Sequence, residues 1–261
     1  MRSRSRLIRL RNLPDQLAAS HHLLTPEEVE GLLTEGEIRG GALAPWGSNY
    51  TYFVTVCSGD LEMAAVYKPR RGEAPLIDFP SGTLYLREQA AYAVSDCLGW
   101  DLVPHTVIRD DGPYGPGTLQ VYVDAEGPPH VYSLTADDLP DLQKLVVFDV
   151  IVNNADRKPA HCFKGVNHGL WAIDHGLTFH ARPKLRTVIW DFCGDPIPKP
   201  LLRDLQERRD DRTQRAGLER ELAKLLSTRE VDAFWRRVDD VLERRRFPLL
   251  DPRFNIPYGF A

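Results

Sequence analysis

Val150-Ile151-Val152-Asn153-Asn154-Ala155-Asp156-Arg157-Lys158, followed by Ala172-Ile173-Asp174-His175-Gly176-Leu177, decides how this 261-residue chain is read. An apolar run delivers a dense group of amides and charges that ends in Asp156-Arg157. A second carboxylate, Asp174, closes a short Trp-Ala-Ile segment and leads into a Gly-containing turn. Phosphoryl transfer needs two carboxylates with separate duties. One orients or deprotonates the acceptor hydroxyl, and the other holds the cation that bridges the nucleotide phosphates. The order and spacing of the two segments place the chemistry there.

Working outward, Asp156 is the candidate base. Arg157 would steady its loop or the transferred phosphoryl group. Asp174 is the candidate metal ligand, with an ordinary turn aspartate as the plain alternative. His161 stands five positions after Asp156, and two readings are open: a neutral imidazole that binds metal, although Mg2+ prefers oxygen, or a hydrogen-bonded structural histidine. Asp149, on the apolar helix, would brace the loop, and Trp190-Asp191-Phe192 reads as packing. Upstream, Lys68 ends a strand and Glu88 lies on the next helix. A lysine leaving a sheet for a cleft needs such a partner, and the pair would hold the α- and β-phosphates, or else the two are a surface lysine and a solvated glutamate. Gly47-Ser48-Asn49-Tyr50 is a candidate phosphate-covering turn, with Ser48 and Asn49 as donors, or else an ordinary loop. Gln120-Val121-Tyr122-Val123 would offer backbone groups from Gln120 and Tyr122 to adenine.

The element pattern gives these residues their places. Thr25-Pro26-Glu27-Glu28 is a capping box that starts a helix ended by Gly36. Residues 49–56 and 63–69 are rich in β-branched and aromatic side chains and form a hairpin around Ser58-Gly59-Asp60. Residues 84–98 read as a helix closed by Gly99, and 103–108 and 118–123 as two strands. Helical spacing covers 139–153, 201–226 and 231–246, with a second capping box at Ser227-Thr228-Arg229-Glu230. A short strand at 171–173 precedes Asp174, and 247–261 reads as surface coil. The fold class expected is α+β and bilobal: a small antiparallel sheet with one helix, then a mostly helical half. The divisions are a basic, poorly ordered N-terminus over 1–20, a β-rich nucleotide-binding lobe over 21–124 and a helical lobe over 125–261.

Composition narrows the function classes. A net charge of −4 argues against a general nucleic-acid binder. Basic clusters at residues 2–11 and 244–246 read as a solvated tail and a helix end, with weak contact to an anionic membrane surface as the minor alternative. Four cysteines without metal-ligand spacing read as reduced thiols. With no apolar run near the roughly 20 residues that cross a bilayer and no secretory signal, a cytoplasmic location is expected.

Taken in order, strand lysine, helix glutamate, linker strands, Asp-Arg loop and Asp-x-Gly-Leu, the chain resembles the phosphatidylinositol 3/4-kinase-like group of the protein-kinase superfold. It is most similar to small actinobacterial members of that group, and more distantly to HipA-type serine kinases. The resemblance covers about residues 47–241 and rests chiefly on Asn153 to Lys158 and Ile173 to Phe179. It implies a protein-kinase-like fold, with ATP and Mg2+ or Mn2+ as cofactors and a hydroxyl-bearing acceptor: a lipid head group, a small polyol or a protein Ser/Thr. Lys68 would bind phosphates, Glu88 position it, Asp156 act as base and Asp174 as the main metal ligand. The family usually carries Asp-Arg-His with a later Asn; here Lys158 replaces that His and His161 that Asn. Arg182, Lys184 and Arg186 form a basic trio that fits an anionic substrate or a plain surface loop. A pseudokinase, or AMP transfer on the same fold, is the alternative.

Overall fold

Backbone caps and period-2 pairing set the first third of the chain. In the computed structural model, which describes residues 24–45, 47, 49–166 and 169–259, the first helix α1 (Pro26–Glu35) starts as expected. The Glu28 amide donates to Thr25 Oγ1 at 3.2 Å, and the Thr25 amide to Glu28 Oε2 at 2.7 Å. The basic N-terminus and Ser48 lie outside the described residues. Gly36 ends α1 because any side chain there would meet Leu32 O at 2.5 Å and Val56 Cγ1 at 2.6 Å.

Strands β1 (Glu37–Leu43), β2 (Tyr52–Ser58), β3 (Leu61–Pro69), β4 (Thr106–Arg109) and β5 (Gly117–Val121) form one antiparallel sheet in the order β1-β2-β3-β5-β4. β1 was not expected. It is a mostly exposed edge strand with two glycines in a bulge between Arg39 and Ala42, so its own sequence carries little strand signal. β2 begins at Tyr52 rather than at 49, because Asn49 and Tyr50 bond to Ala74 and Gly72 instead.

Alternation divides the sheet into two faces. Val54, Val56, Met63, Ala65, Tyr67, Leu119 and Val121 bury against Val29, Leu32 and Leu33 of α1. The opposite face carries Phe53, Val66, Lys68 and Gln120, with Phe53 opposite Val66 and Lys68 opposite Thr118. That face looks toward α2 (Leu84–Leu98), which ends at Gly99 in the left-handed region (φ 63°).

The rest is mainly helical: α3 (Leu139–Val152), a two-stranded ribbon of β6 (Cys162–Lys164) and β7 (Leu170–Ala172), then α4 (Lys199–Asp210), α5 (Arg212–Leu225) and α6 (Thr228–Arg244). The single helix expected over 201–226 is two. Asp211 closes α4 and caps α5, accepting the amides of Thr213 and Gln214 at 2.9 and 3.1 Å. β6 also went unforeseen. The large core joins Ala90, Ala91 and Val94 of α2 to Leu145, Phe148 and Ile151 of α3, Leu205, Leu222 and Phe234. Thus α2 is shared between the sheet and the helices.

A buried ion pair fixes α2 in that position. Arg87 is 1% exposed; it meets Glu230 Oε1 at 2.6 Å and donates to Thr178 O at 2.7 Å. The other carboxylate oxygen of Glu230 accepts from the Ser227 amide and hydroxyl at 2.9 and 2.7 Å, completing the cap of α6. All four cysteines are free: Cys57 and Cys162 are buried, Cys97 half-buried and Cys193 exposed. Burial pushes the Cys162 thiol up to about 12. Among the described residues, no helix is long and apolar enough to cross a membrane.

Arg87→Met should strand a buried carboxylate and cost about 3–5 kcal/mol. Glu230→Gln retains the cap, so combining it with Arg87→Met should recover part of that loss. Denaturant titration of the single and double variants checks this; strictly additive losses would show that the two side chains do not act as a pair.

Candidate active site

The loop after α3 is built by its amides. Asn153 closes the helix in the left-handed region (φ 54°), a conformation its short polar side chain tolerates. Its Nδ2 donates to His180 O and Arg182 O, both at 2.8 Å, and its Oδ1 accepts the Lys184 amide at 2.8 Å. Asn154 donates to Asp149 Oδ1 and accepts the Asp156 amide, both at 2.9 Å. Further backbone bonds join Ala155 to Leu177 and Asn154 and Arg157 to Arg186, so the loop is laced to the chain on both sides.

Arg157 is fully buried, and its guanidinium uses every donor it has. Nε and one terminal nitrogen grip Asp149 at 2.8 and 2.9 Å. The other nitrogen donates to His161 O at 2.7 Å and Ile173 O at 3.1 Å. A last N–H meets His175 Nε2 at 2.8 Å. Of the two roles expected for Arg157, the bonds fit the first: it steadies the loop from beneath, and with every donor used it has none left for a transferred group. Because arginine only donates, His175 Nε2 must accept, which assigns the ring proton to Nδ1. His175 is buried, and burial together with Arg157 and Lys68 holds its pKa well below the usual histidine value, so the ring is neutral.

Above this base lies the charged cluster. Lys68 Nζ is 2.6 Å from Glu88 Oε1 and 3.2 Å from Asp174 Oδ1. Glu88 Oε2 accepts the His175 amide at 3.0 Å, so one carboxylate positions both the lysine and the turn that carries Asp174. Burial, which would lower the Lys68 pKa, is outweighed by Glu88 and then Asp174, and the ammonium titrates above an ordinary lysine. Asp174 takes a left-handed backbone (φ 62°). Burial would raise its pKa, but the Lys68 ammonium holds it well below the usual carboxylate range. Gly176 follows because a side chain there would press on Leu84 Cβ at 3.3 Å.

His161 joins the two carboxylate-bearing loops. Its Nδ1 is 3.0 Å from Asp156 O, and its Nε2 is 3.2 Å from Asp174 Oδ2. Burial lowers its pKa. Asp156 is paired with Lys158 Nζ at 2.7 Å, yet burial outweighs that pull and raises its pKa. The structure therefore brings Lys68, Glu88, Asp174, His161 and Asp156 together.

Other expected contacts fall elsewhere. Gln120 is buried; its side chain donates to Thr106 Oγ1 at 2.8 Å and its backbone lies within the sheet. It offers nothing to a base. The Tyr122 amide donates to Ala64 O at 3.1 Å and so is not free for a base, and its ring meets Phe53 edge-on at 5.7 Å. Asn49 Oδ1 accepts the Ala74 amide at 2.8 Å, which ties the side chain to the loop without involving its Nδ2 donor. In the basic trio, Lys184 pairs with Asp78 at 2.6 Å and Arg186 stacks on Tyr258 at 4.3 Å, while Arg182 is exposed. The pairing of Lys158 with Asp156, the place of His175 between Arg157 and Glu88, and the half-buried apolar pair Phe53–Val66 were missed. Counting back by two from Lys68 would have found Val66, and the pairing of β2 with β3 then gives Phe53.

The donor set admits a cation. His161 Nδ1 faces Asp156 O and Nε2 faces Asp174 Oδ2, so the imidazole bridges two oxygen acceptors, and a cation could replace a proton between Nε2 and Asp174. Among the described residues, no group of three or more His, Cys, Asp and Glu could hold a metal unaided. A cation at His161 and Asp174 would take its remaining ligands from phosphate and water, as Mg2+ sites commonly do.

No protein-family model matches the chain. Protein Rv2133c of Mycobacterium tuberculosis (strain ATCC 25618 / H37Rv) is 35% identical over 268 residues, spanning 89% of this chain and 95% of that protein. The chain belongs to the family of Protein Rv2133c. That membership assigns no chemistry, which has to come from the site itself.

Arg157→Lys keeps the charge but not the fork, leaving His175 Nε2 and one or both of the carbonyls without a donor. It should cost about 2 kcal/mol or more. Denaturant titration reads the loss; a variant as stable as the parent would show that the network does not hold the loop.

Proposed function

We propose that the chain is an ATP-dependent phosphotransferase with a bilobal, protein-kinase-like build. The sheet and α2 make one lobe, α3 to α6 the other. The reading rests on one observation: Lys68 of β3 meets both Glu88 of α2 and Asp174 after β7, at 2.6 and 3.2 Å. Three separate elements converge on one ammonium, which is the geometry that fixes nucleotide phosphates beside a metal-binding carboxylate. The resemblance to phosphatidylinositol 3/4-kinase-like proteins points the same way.

On this reading the half-buried Phe53 and Val66, on the Lys68 face, give the base an apolar roof. Lys68 holds phosphate oxygens and Glu88 keeps it in place. Asp174 and His161 would hold a divalent cation, Mg2+ or Mn2+, which would supply charge neutralisation at the phosphates. Asp156 takes the acceptor proton as the hydroxyl oxygen bonds to the γ-phosphorus. The bond from that phosphorus to the β–γ bridging oxygen breaks, and ADP leaves with the electron pair. The raised pKa of Asp156 suits a group that must accept a proton. The acceptor is a lipid head group, a small polyol or a protein Ser/Thr.

One observation favours a nucleotide-binding module without turnover: Lys158 occupies the Asp156 carboxylate at 2.7 Å. Intact mass after incubation with ATP and Mg2+ or Mn2+ separates the readings. Phosphate adds about 80 Da and AMP about 329 Da. Mass gained by the wild type and not by Asp156→Ala supports transfer; with candidate acceptors supplied, failure to consume ATP favours the module. Asp174→Ala should lose metal-dependent nucleotide affinity more than Asp156→Ala, because metal anchoring acts in the ground state and the base mainly in the transition state. Calorimetry on both variants tests this, and equal losses would refute that division of roles.

A further inference from the structure

We infer that residues 73–81 form a lid over the approach to Asp156, with Asp78 and Phe79 as its catches. The inference deepens the phosphotransferase reading and rests on it for the acceptor that the lid admits. The catches themselves stand on geometry alone.

The base is largely enclosed. The Asp156 side chain is 16% exposed, and Lys158 is paired with it at 2.7 Å. An acceptor bulkier than water reaches that carboxylate only when a neighbouring segment moves, as lids do in many enzymes. Several neighbours are fixed. Arg157 is locked into its buried network. Asn153 binds His180 O, Arg182 O and the Lys184 amide, so residues 180–184 are held to the loop that carries the base. The connection from β3 to α2 is built differently.

That connection has a fixed stem. Gly72 O accepts the Tyr50 amide at 2.9 Å, and Asn49 Oδ1 accepts the Ala74 amide at 2.8 Å. Glu73 Oε1 accepts the Tyr85 amide at 2.9 Å and so satisfies an otherwise unpaired donor in the first turn of α2. On the returning arm, Pro80 O accepts the Thr83 hydroxyl at 2.7 Å, and Gly82 takes a left-handed backbone (φ 74°). Between the two arms residues 75–78 are exposed. Pro75 and Pro80 each fix one backbone angle, so the tip is stiff and swings as a unit.

Two side chains hold the tip down beside Asp156. Phe79 is buried with Leu84, Ala155 and Leu177, and Ala155 is the residue before the base. The Phe79 ring also lies 5.3 Å from the His180 ring and 5.1 Å from the Arg87 guanidinium. Asp78 Oδ2 meets Lys184 Nζ at 2.6 Å, with the two side chains 38% and 17% exposed. The Phe79 cluster is small and separate from both larger cores, and the ion pair sits at the rim. Contacts of that kind open locally without unfolding the domain, because a rim pair contributes little and few apolar neighbours are lost. The fully buried pair of Arg87 with Glu230 has no such freedom. The fixed stem and weak catches therefore assign the movement to residues 73–81.

The test is carboxyl footprinting of the full chain with a carbodiimide and glycine amide, read at Asp156 by mass spectrometry, beside hydrogen exchange of the same samples. Asp78→Asn and Lys184→Gln break one catch from opposite sides and leave the cores untouched. Each should raise Asp156 labelling about two- to fivefold, and the double variant should do no more than either. Lys184→Arg keeps the pair and should label as the wild type does. Exchange should rise over 73–81 in the same variants. Asp156 labelling that stays at the wild-type level in folded Asp78→Asn and Lys184→Gln would overturn the lid. A rise in exchange confined to 180–186 would place the motion in that segment and overturn it too. Calorimetry with a nonhydrolysable ATP analogue separates the two inferences: raised labelling in a chain that binds no analogue would support the lid and sink the nucleotide reading.

Discussion

A fully buried guanidinium is the constraint on which the rest of this site depends. Arg157 reaches Asp149 on α3, the carbonyls of His161 and Ile173, and the ring of His175. A buried charge is tolerable only when paired and fully hydrogen-bonded, and here no donor is left over. The consequence is geometric. The loop carrying Asp156, the turn carrying His161 and the segment carrying Asp174 share one origin, so a displacement of any one breaks bonds to the other two. Separate loops could drift; these cannot drift independently.

A second fixed point holds the sheet against this assembly. α2 contributes Glu88 to the cleft while its neighbour Arg87 is locked to Glu230 on α6. Adjacent residues on a helix point in different directions, so one turn of α2 faces Lys68 and the far helix at once. Glu88 also accepts the His175 amide, and His175 is the residue gripped by Arg157. The two fixed points thus meet at His175. Lys68 is placed against Asp174 by this route, through hydrogen bonds and buried ion pairs rather than by loop packing alone.

How far the sequence disclosed this follows from the physics of each signal. The cap at Thr25, the helix over 84–98 with its terminal glycine and the apolar run into Asn153 are local patterns, and the structure has them. Lys68, Glu88 and Asp174 could be named because strand end, helix and turn each imply a direction. β1 was hidden because its pairing comes from β2 and not from its own glycine-bearing residues. Asp211 was hidden because one aspartate splitting a continuous polar–apolar pattern looks like a surface residue. Asn49 as a phosphate donor, the backbone of Gln120 as an adenine contact and Arg157 as a contact to the transferred group were open readings because polar groups near a presumed cleft suggest contact. Each instead satisfies the protein's own backbone or buried charge, and only tertiary placement decides between those uses.

The charges of the site have a further consequence for order of binding. Lys68, Lys158 and Arg157 stand against Glu88, Asp174, Asp156 and Asp149, leaving one negative charge in excess with His161 neutral. A polyphosphate approaching that cluster meets three cations already committed to carboxylates, Lys68 to Glu88 and Asp174, Arg157 to Asp149 and Lys158 to Asp156. On the proposed reading, a divalent cation at Asp174 and His161 would reverse the balance, and in a partly buried site that reversal would be weakly screened. Asp174 would then be shared between cation and Lys68, while Glu88 would keep the ammonium in position. Lys68 would be left as a partner for phosphate. On the proposed reading, metal and nucleotide therefore bind as a unit: the cation frees the lysine that the nucleotide needs, and the nucleotide supplies oxygens that two protein ligands alone do not.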